Sequence, residues 1–174
     1  MLREILKTTL LFTLIFLFGC NNAKETNNTY LITFDDIAGY LSTPNNSLLV
    51  TNLAHSGNTC AYVYKDLLYG ATYKRSLKDL SPKQINKITL KAWVRKDVEN
   101  ANLKLVCSIN KGEETIFWNA IETKSQSLVN GEWKEISYTF DISKVNSPEN
   151  NVIIYPLNDG VSKIMLDDLS INVE

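Results

Sequence analysis

The sequence is poor in the residues that most hydrolytic and metal chemistry needs. It has one histidine, His55, among 174 residues, and three cysteines that form no cluster with it. Zinc hydrolases and Ser-His or Cys-His nucleophile schemes use imidazole as ligand or base, usually with partners nearby, so a single histidine removes most of them. An excess of charge of one sign is lacking too. Eighteen basic side chains stand against 19 acidic ones, which leaves no electrostatic footprint for nucleic acid. Seven glycines and four prolines are too few for a low-complexity or collagen-like chain. No window sustains the i, i+3, i+4, i+7 apolar spacing of a long helix, and GxGxxG, GxSxG, P-loop and HExxH patterns are absent. A glycosidase needs only two carboxylates about 5–10 Å apart across a cleft, but the acids here cluster in turns and at chain ends. What remains, at 44% hydrophobic and 21% charged residues, is one ordinary domain that leans toward binding rather than catalysis.

The longest apolar run, residues 10–18, follows Arg3 and Lys7 and is short for a spanning helix, the pattern of a secretory signal. Leu17-Phe18-Gly19-Cys20 ends that run and resembles the bacterial lipobox. The resemblance implies cleavage after Gly19 and a lipidated Cys20 as the new first residue. The alternatives are a signal cut elsewhere or a permanent N-terminal anchor. Residues 1–19 are thus read as signal peptide, 20–28 as a polar tether and 29–174 as one folded domain. The mature chain keeps 155 residues, with 16 basic and 18 acidic side chains. Acyl chains would hold it on a membrane surface without spanning it. Asn21, rather than Asp, beside the cysteine favours the outer membrane, and Ala23-Lys24-Glu25 partly resembles signals that send lipoproteins to the cell surface.

From Tyr30 onward the pattern is period two with frequent turn punctuation. The predicted strands are 30–34, 47–53, 59–65, 71–75, 88–95, 103–109, 114–121, 133–141, 152–155 and 162–173, with one short helical turn within 77–85. Such a series specifies an antiparallel sandwich or barrel. Ile88, Leu90, Ala92 and Val94 alternate with Thr89, Lys91, Trp93 and Arg95, and Leu103, Leu105, Cys107 and Ile109 with Lys104, Val106, Ser108 and Asn110, so in each strand one set packs inward. Turns fall at Asn110-Lys111-Gly112, Asn130-Gly131 and Asn158-Asp159-Gly160, where the residues tolerate positive φ. Cys60 and Cys107 both lie in strand-like runs. Two buried thiols and a disulfide are both open.

Tyr30-Leu31-Ile32-Thr33-Phe34-Asp35-Asp36, His55-Ser56-Gly57, Lys91-Ala92-Trp93-Val94-Arg95, Gly131-Glu132-Trp133-Lys134 and Met165-Leu166-Asp167-Asp168-Leu169 occur in that order. The series resembles galactose-binding-like β-sandwich jelly rolls, in particular carbohydrate-binding modules of the cellulose- and xylan-binding type. The resemblance covers nearly the whole mature domain and implies an all-β fold and a glycan partner. It also implies one structural Ca²⁺ ion held by Asp35, Gly57 and Asp167, with Asp36 as a helper. Calcium takes six to eight hard oxygen ligands, carboxylate and carbonyl alike. On an ideal strand Asp167 shares a face with Met165, Leu169 and Ile171, and Asp168 with Ile164, Leu166 and Ser170, so parity alone does not choose between the two acids.

Sugar recognition needs flat apolar faces and groups that satisfy several hydroxyls. Trp93, facing away from its core neighbours Ala92 and Val94, is the leading candidate, with Lys91 and Arg95 beside it. Trp118 is the second, although its strand is apolar on both faces. Tyr62 and Tyr64 share one face of their strand, and Tyr155 and Asn158 lie near a loop. In jelly rolls the concave sheet usually carries the platform. Trp133 reads as a packing residue at a strand entry and His55 as a turn residue bonded to backbone. The whole describes a lipid-anchored, non-catalytic envelope protein that binds glycan. The alternative is a structural or protein-interaction subunit of an envelope complex on the same fold.

Overall fold

The computed structural model describes residues 29–35, 49–64, 67–158 and 163–174. Cys20, the signal, the tether and Asp36 lie outside them. The alternating pattern becomes ten strands: β1 (Thr29–Ile32), β2 (Leu49–Thr51), β3 (Thr59–Val63), β4 (Tyr73–Ser76), β5 (Lys87–Lys96), β6 (Leu103–Lys111), β7 (Glu114–Glu122), β8 (Trp133–Asp141), β9 (Asn151–Asn158) and β10 (Ile164–Val173). Between β4 and β5 lies a single helical turn, Leu77–Leu80, inside the predicted window.

The strands form two antiparallel sheets. Sheet A runs β2-β3-β10-β5-β8, and β1 pairs with the far half of β10; sheet B runs β4-β9-β6-β7. Side chains at alternate positions of facing strands bury the core between them: Ile88, Leu90, Ala92 and Val94 from β5, Leu103, Leu105, Cys107 and Ile109 from β6, and Ile136 and Phe140 from β8. Both predicted alternations therefore hold in the fold. Cys60 and Cys107 are buried free thiols on different sheets, and burial pushes them up to about 11 and about 12 respectively, so neither is a ready thiolate.

β9 runs further than the sequence suggested, through Pro156 to Asn158. Gly70 N–H donates to the Pro156 carbonyl at 2.9 Å. A strand residue's N–H and C=O point the same way, so the missing proline N–H faces that same edge, beyond the paired end of β4. Gly70 must come this close: a Cβ there would lie 2.5 Å from Pro156 Cγ and 2.8 Å from Val63 Cγ1.

Strict alternation fails in β10. Asp167 pairs with Trp93 and Ser170 with Lys91, with a register shift between Asp167 and Ser170, and Asp168 takes φ 46°. This is a β-bulge, which spends one extra residue and reverses which face follows. Asp167 therefore lies with Met165 and Trp93 on the outer face of sheet A, while Leu169 and Ile171 face the core. The expectation that Asp167 shares a face with Leu169 and Ile171 is corrected by that bulge.

Candidate functional site

Two outer sheet faces carry the residues singled out by the sequence. On sheet A the segment from Asn52 to Asn58 folds over the outer surface of β3 and β10. It is fastened by three carboxylates. Asp167 Oδ2 accepts the amide N–H groups of His55 (2.8 Å) and Ser56 (3.1 Å), and Asp167 Oδ1 accepts the Asp168 N–H at 2.8 Å. Asp168 accepts the Ser56 hydroxyl at 2.6 Å and contacts His55 Nδ1 at 2.7 Å. From the other side, Asp35 Oδ1 accepts the N–H groups of Asn58 and Thr59, both at 2.8 Å. Gly57, at φ 60°, sits where a Cβ would be 1.7 Å from Asp35 Oδ2, so no other residue fits between loop and carboxylate. Underneath, Cys60, Met165 and Asp167 are fully buried, although none faces the core between the sheets. Burial pushes the Asp167 carboxyl up, against the three amide bonds that pull it down.

Asp35, Gly57 and Asp167, far apart in the chain, thus meet at one loop. Among the described residues no Lys or Arg pairs with Asp35 or Asp167, and no group of three or more His, Cys, Asp or Glu side chains is placed to hold a metal. Asp35 and Asp167 are hard oxygen donors of the kind calcium takes, and the contacts they make with the loop are to its N–H groups.

The same loop lays His55 on Trp93, with ring centroids 3.8 Å apart and planes within 11°, and Trp133 meets His55 edge-on at 5.8 Å. Trp93 does face away from the core. One face of its indole, however, is taken by a residue of its own chain, so the expectation of an open platform is corrected. Lys91 stands exposed opposite Ser137 and Ser170, and Arg95 pairs with Asp97 at 3.1 Å. Tyr62 and Tyr64 stack on each other at 5.3 Å, with Lys163 Nζ 4.9 Å over the Tyr62 ring. Trp93, Lys91, Arg95, Tyr62 and Tyr64 thus share one surface with the 52–58 loop.

Trp118 and Tyr155 belong to the opposite one. On the outer face of sheet B, Trp118 lies across from Ser108, which lies across from Ile153; one row along, Ala120, Val106 and Tyr155 are aligned. The small side chains of Ser108 and Ala120 leave room for large rings beside them. Trp118 Nε1–H donates to the Tyr155 hydroxyl at 3.1 Å. Tyr69, bridged to Leu157 in the next row, brings its ring to 5.9 Å from Tyr155. Trp118 is 48% exposed and Tyr69 59%. Three aromatic rings therefore cross the sheet in one exposed strip, flanked by the Lys104–Glu122 ion pair at 3.5 Å. Val106 points outward yet is fully buried in this face.

Asn158 does not join the strip. It lies opposite the core residue Leu103 and is 1% exposed, so its proposed contact with a ligand is corrected: β9 continues to that residue and parity turns it inward. Tyr69 was missed because it lies in the irregular segment before β4, where period-two reading has nothing to count. The exposed apolar pair Leu68-Tyr69 beside Gly70 was the available signal.

No family model matches the sequence, and no curated protein is similar to it. Solved structures are. The CBM22-2 xylan-binding domain from Paenibacillus barcinonensis Xyn10C superposes with a TM-score of 0.57 at 11% identity, covering 83% of this chain and 99% of that one. The CBM22-1 xylan-binding domain of the same protein gives 0.55 at 12% identity over 83% and 92%. The xylan-binding module CBM15 gives 0.53 at 14% identity over 84% and 97%. The chain is thus an antiparallel β-sandwich with the jelly-roll fold of the carbohydrate-binding modules.

Proposed function

We propose that the protein binds a glycan or polysaccharide chain, without chemistry of its own, along the outer face of sheet B. The observation that carries this reading is the exposed strip Tyr69–Tyr155–Trp118. Aromatic faces in a row offer successive pyranose rings apolar C–H contact, and the Tyr155 and Ser108 hydroxyls and the Lys104–Glu122 pair lie within or beside the strip to meet sugar hydroxyls. That the structural neighbours are xylan-binding modules supports the same reading. Affinity electrophoresis of the purified protein through gels containing a panel of neutral and acidic polysaccharides tests it. Retardation by at least one of them is the expected result, and unchanged mobility in all of them would overturn the reading.

Two further parts of the proposal rest on the sequence. Cys20 carries the lipid anchor, which places the sandwich on the outer membrane or cell surface at the end of a short polar tether. A calcium ion at Asp35, the Gly57 carbonyl and Asp167, with Asp36 as a helper ligand, clamps the 52–58 loop. Saturating calcium is then expected to raise the melting temperature over the chelated protein by roughly 5–10 °C, the shift for ~2.7 kcal/mol of linkage in a domain of this size. Superimposable melting curves with calcium and with chelator would remove the ion from the proposal.

A further inference from the structure

At the end of the sandwich where β5 leads into β6 and β7 into β8, a cavity of about 370 Å³ is lined by Lys96, Glu99, Asn102, Thr123, Lys124 and Ser127, among others. None of its lining residues belongs to the aromatic strip. Its wall is built before any ligand arrives: Asn102 Oδ1 accepts the Thr123 hydroxyl at 3.2 Å and the Lys124 N–H at 3.0 Å, and Thr123 Oγ1 accepts the Leu103 N–H at 2.8 Å. The Lys134 ammonium ties the Gln126 carbonyl from β8. Ser127 is held at φ 50°, a conformation costly for a non-glycine residue and one that concentrates at ligand sites.

The charge is distinctive. Among the described residues the Lys96 side chain, 11% exposed, has one carboxylate partner, the 82% exposed Glu99 at 3.8 Å, and it donates to the Glu99 carbonyl at 3.3 Å. The covered Lys96 side chain thus ends in an ammonium held by two long contacts, with donor capacity left for a further acceptor. With Lys124 also in the lining, two cations and one anion border the cavity, and the rest of the wall is mostly amide and hydroxyl. The cavity lies in the size range of small-ligand sites, about 300–1,000 Å³, and contains no aromatic ring.

We infer that this cavity is a second binding site, for a carboxylated sugar residue: Lys96 and Lys124 take the carboxylate, and the asparagine amides and the Ser127 hydroxyl take the hydroxyls. A uronic acid unit, free or as a branch of a polysaccharide, has that chemistry. The test is calorimetric titration of the purified full-length protein with D-glucuronate, D-glucose and inorganic phosphate. Glucuronate is expected to bind at least about tenfold more tightly than glucose, the scale of one retained charge-assisted contact. Lys124→Gln, at an exposed position, is expected to weaken glucuronate binding several-fold, and Lys96→Met more, while Trp118→Ala leaves it unchanged. That last variant separates failure of this site from failure of the aromatic strip. Equal affinity for glucose would overturn the role of the lysines, phosphate binding as tight as glucuronate would overturn the sugar assignment, and no heat with glucuronate would overturn the site.

Discussion

Asp167→Ala is expected to destabilise the fold by roughly 3–5 kcal/mol, the range for stripping a buried charged partner from groups that stay behind. Three N–H groups, those of His55, Ser56 and Asp168, lose their acceptor at once. The two from the loop have no replacement unless the loop lifts and lets water reach Cys60 and Met165. Asp167→Asn grades the effect. Its single carbonyl oxygen can keep the two loop bonds made by Oδ2, but its amide would then point N–H at the Asp168 N–H, so a loss of roughly 1–2 kcal/mol is expected. Urea denaturation of the three proteins gives the order, and repeating it in chelator separates the two roles of the carboxylate. A cost that persists without divalent ions belongs to the amide bonds, and one that vanishes belongs to a cation. An Asp167→Ala variant within about 1 kcal/mol of the parent would mean the loop is not fastened as described.

The second large effect is on binding. Trp118→Ala is expected to weaken polysaccharide binding by about 30-fold or more, the ~2 kcal/mol expected of a central aromatic anchor, while leaving the melting temperature nearly unchanged because the ring is half exposed. Tyr155→Phe, which removes only the hydroxyl that accepts from Trp118 Nε1, should give a smaller loss. Trp93→Ala provides the contrast. It removes the ring that His55 stacks on, so it should cost stability and spare binding. Retention that falls with Trp93→Ala and survives Trp118→Ala would move the site to sheet A.

Much of this was legible in the sequence because strand parity is a local rule. Ile88 to Arg95 and Leu103 to Asn110 announce which side chains are inside, and nothing later in the chain changes that. The convergence of Asp35, Gly57 and Asp167 on one loop followed from a resemblance, since no local pattern relates residues so distant. Two things stayed hidden. A bulge leaves no mark in composition, so the face of Asp167 could not be counted from its neighbours across Asp168. Parity also says that a residue points away from its own core neighbours without saying which of the two outer faces it reaches. Trp93 and Trp118 look equivalent in sequence, yet they stand on opposite sides of the sandwich, and only strand order distinguishes a ring capped by His55 from one open to solvent.

The position of β10 bears on how the molecule is made. This strand, following all the others, occupies the interior of sheet A, with β5 along one edge and β3 and β1 sharing the other. Until residues 164–173 leave the ribosome, β1, β2 and β3 have no partner that ties them to β5 and β8. Folding of this sheet therefore waits for synthesis to reach the last strand, and its long-range pairings make it slow.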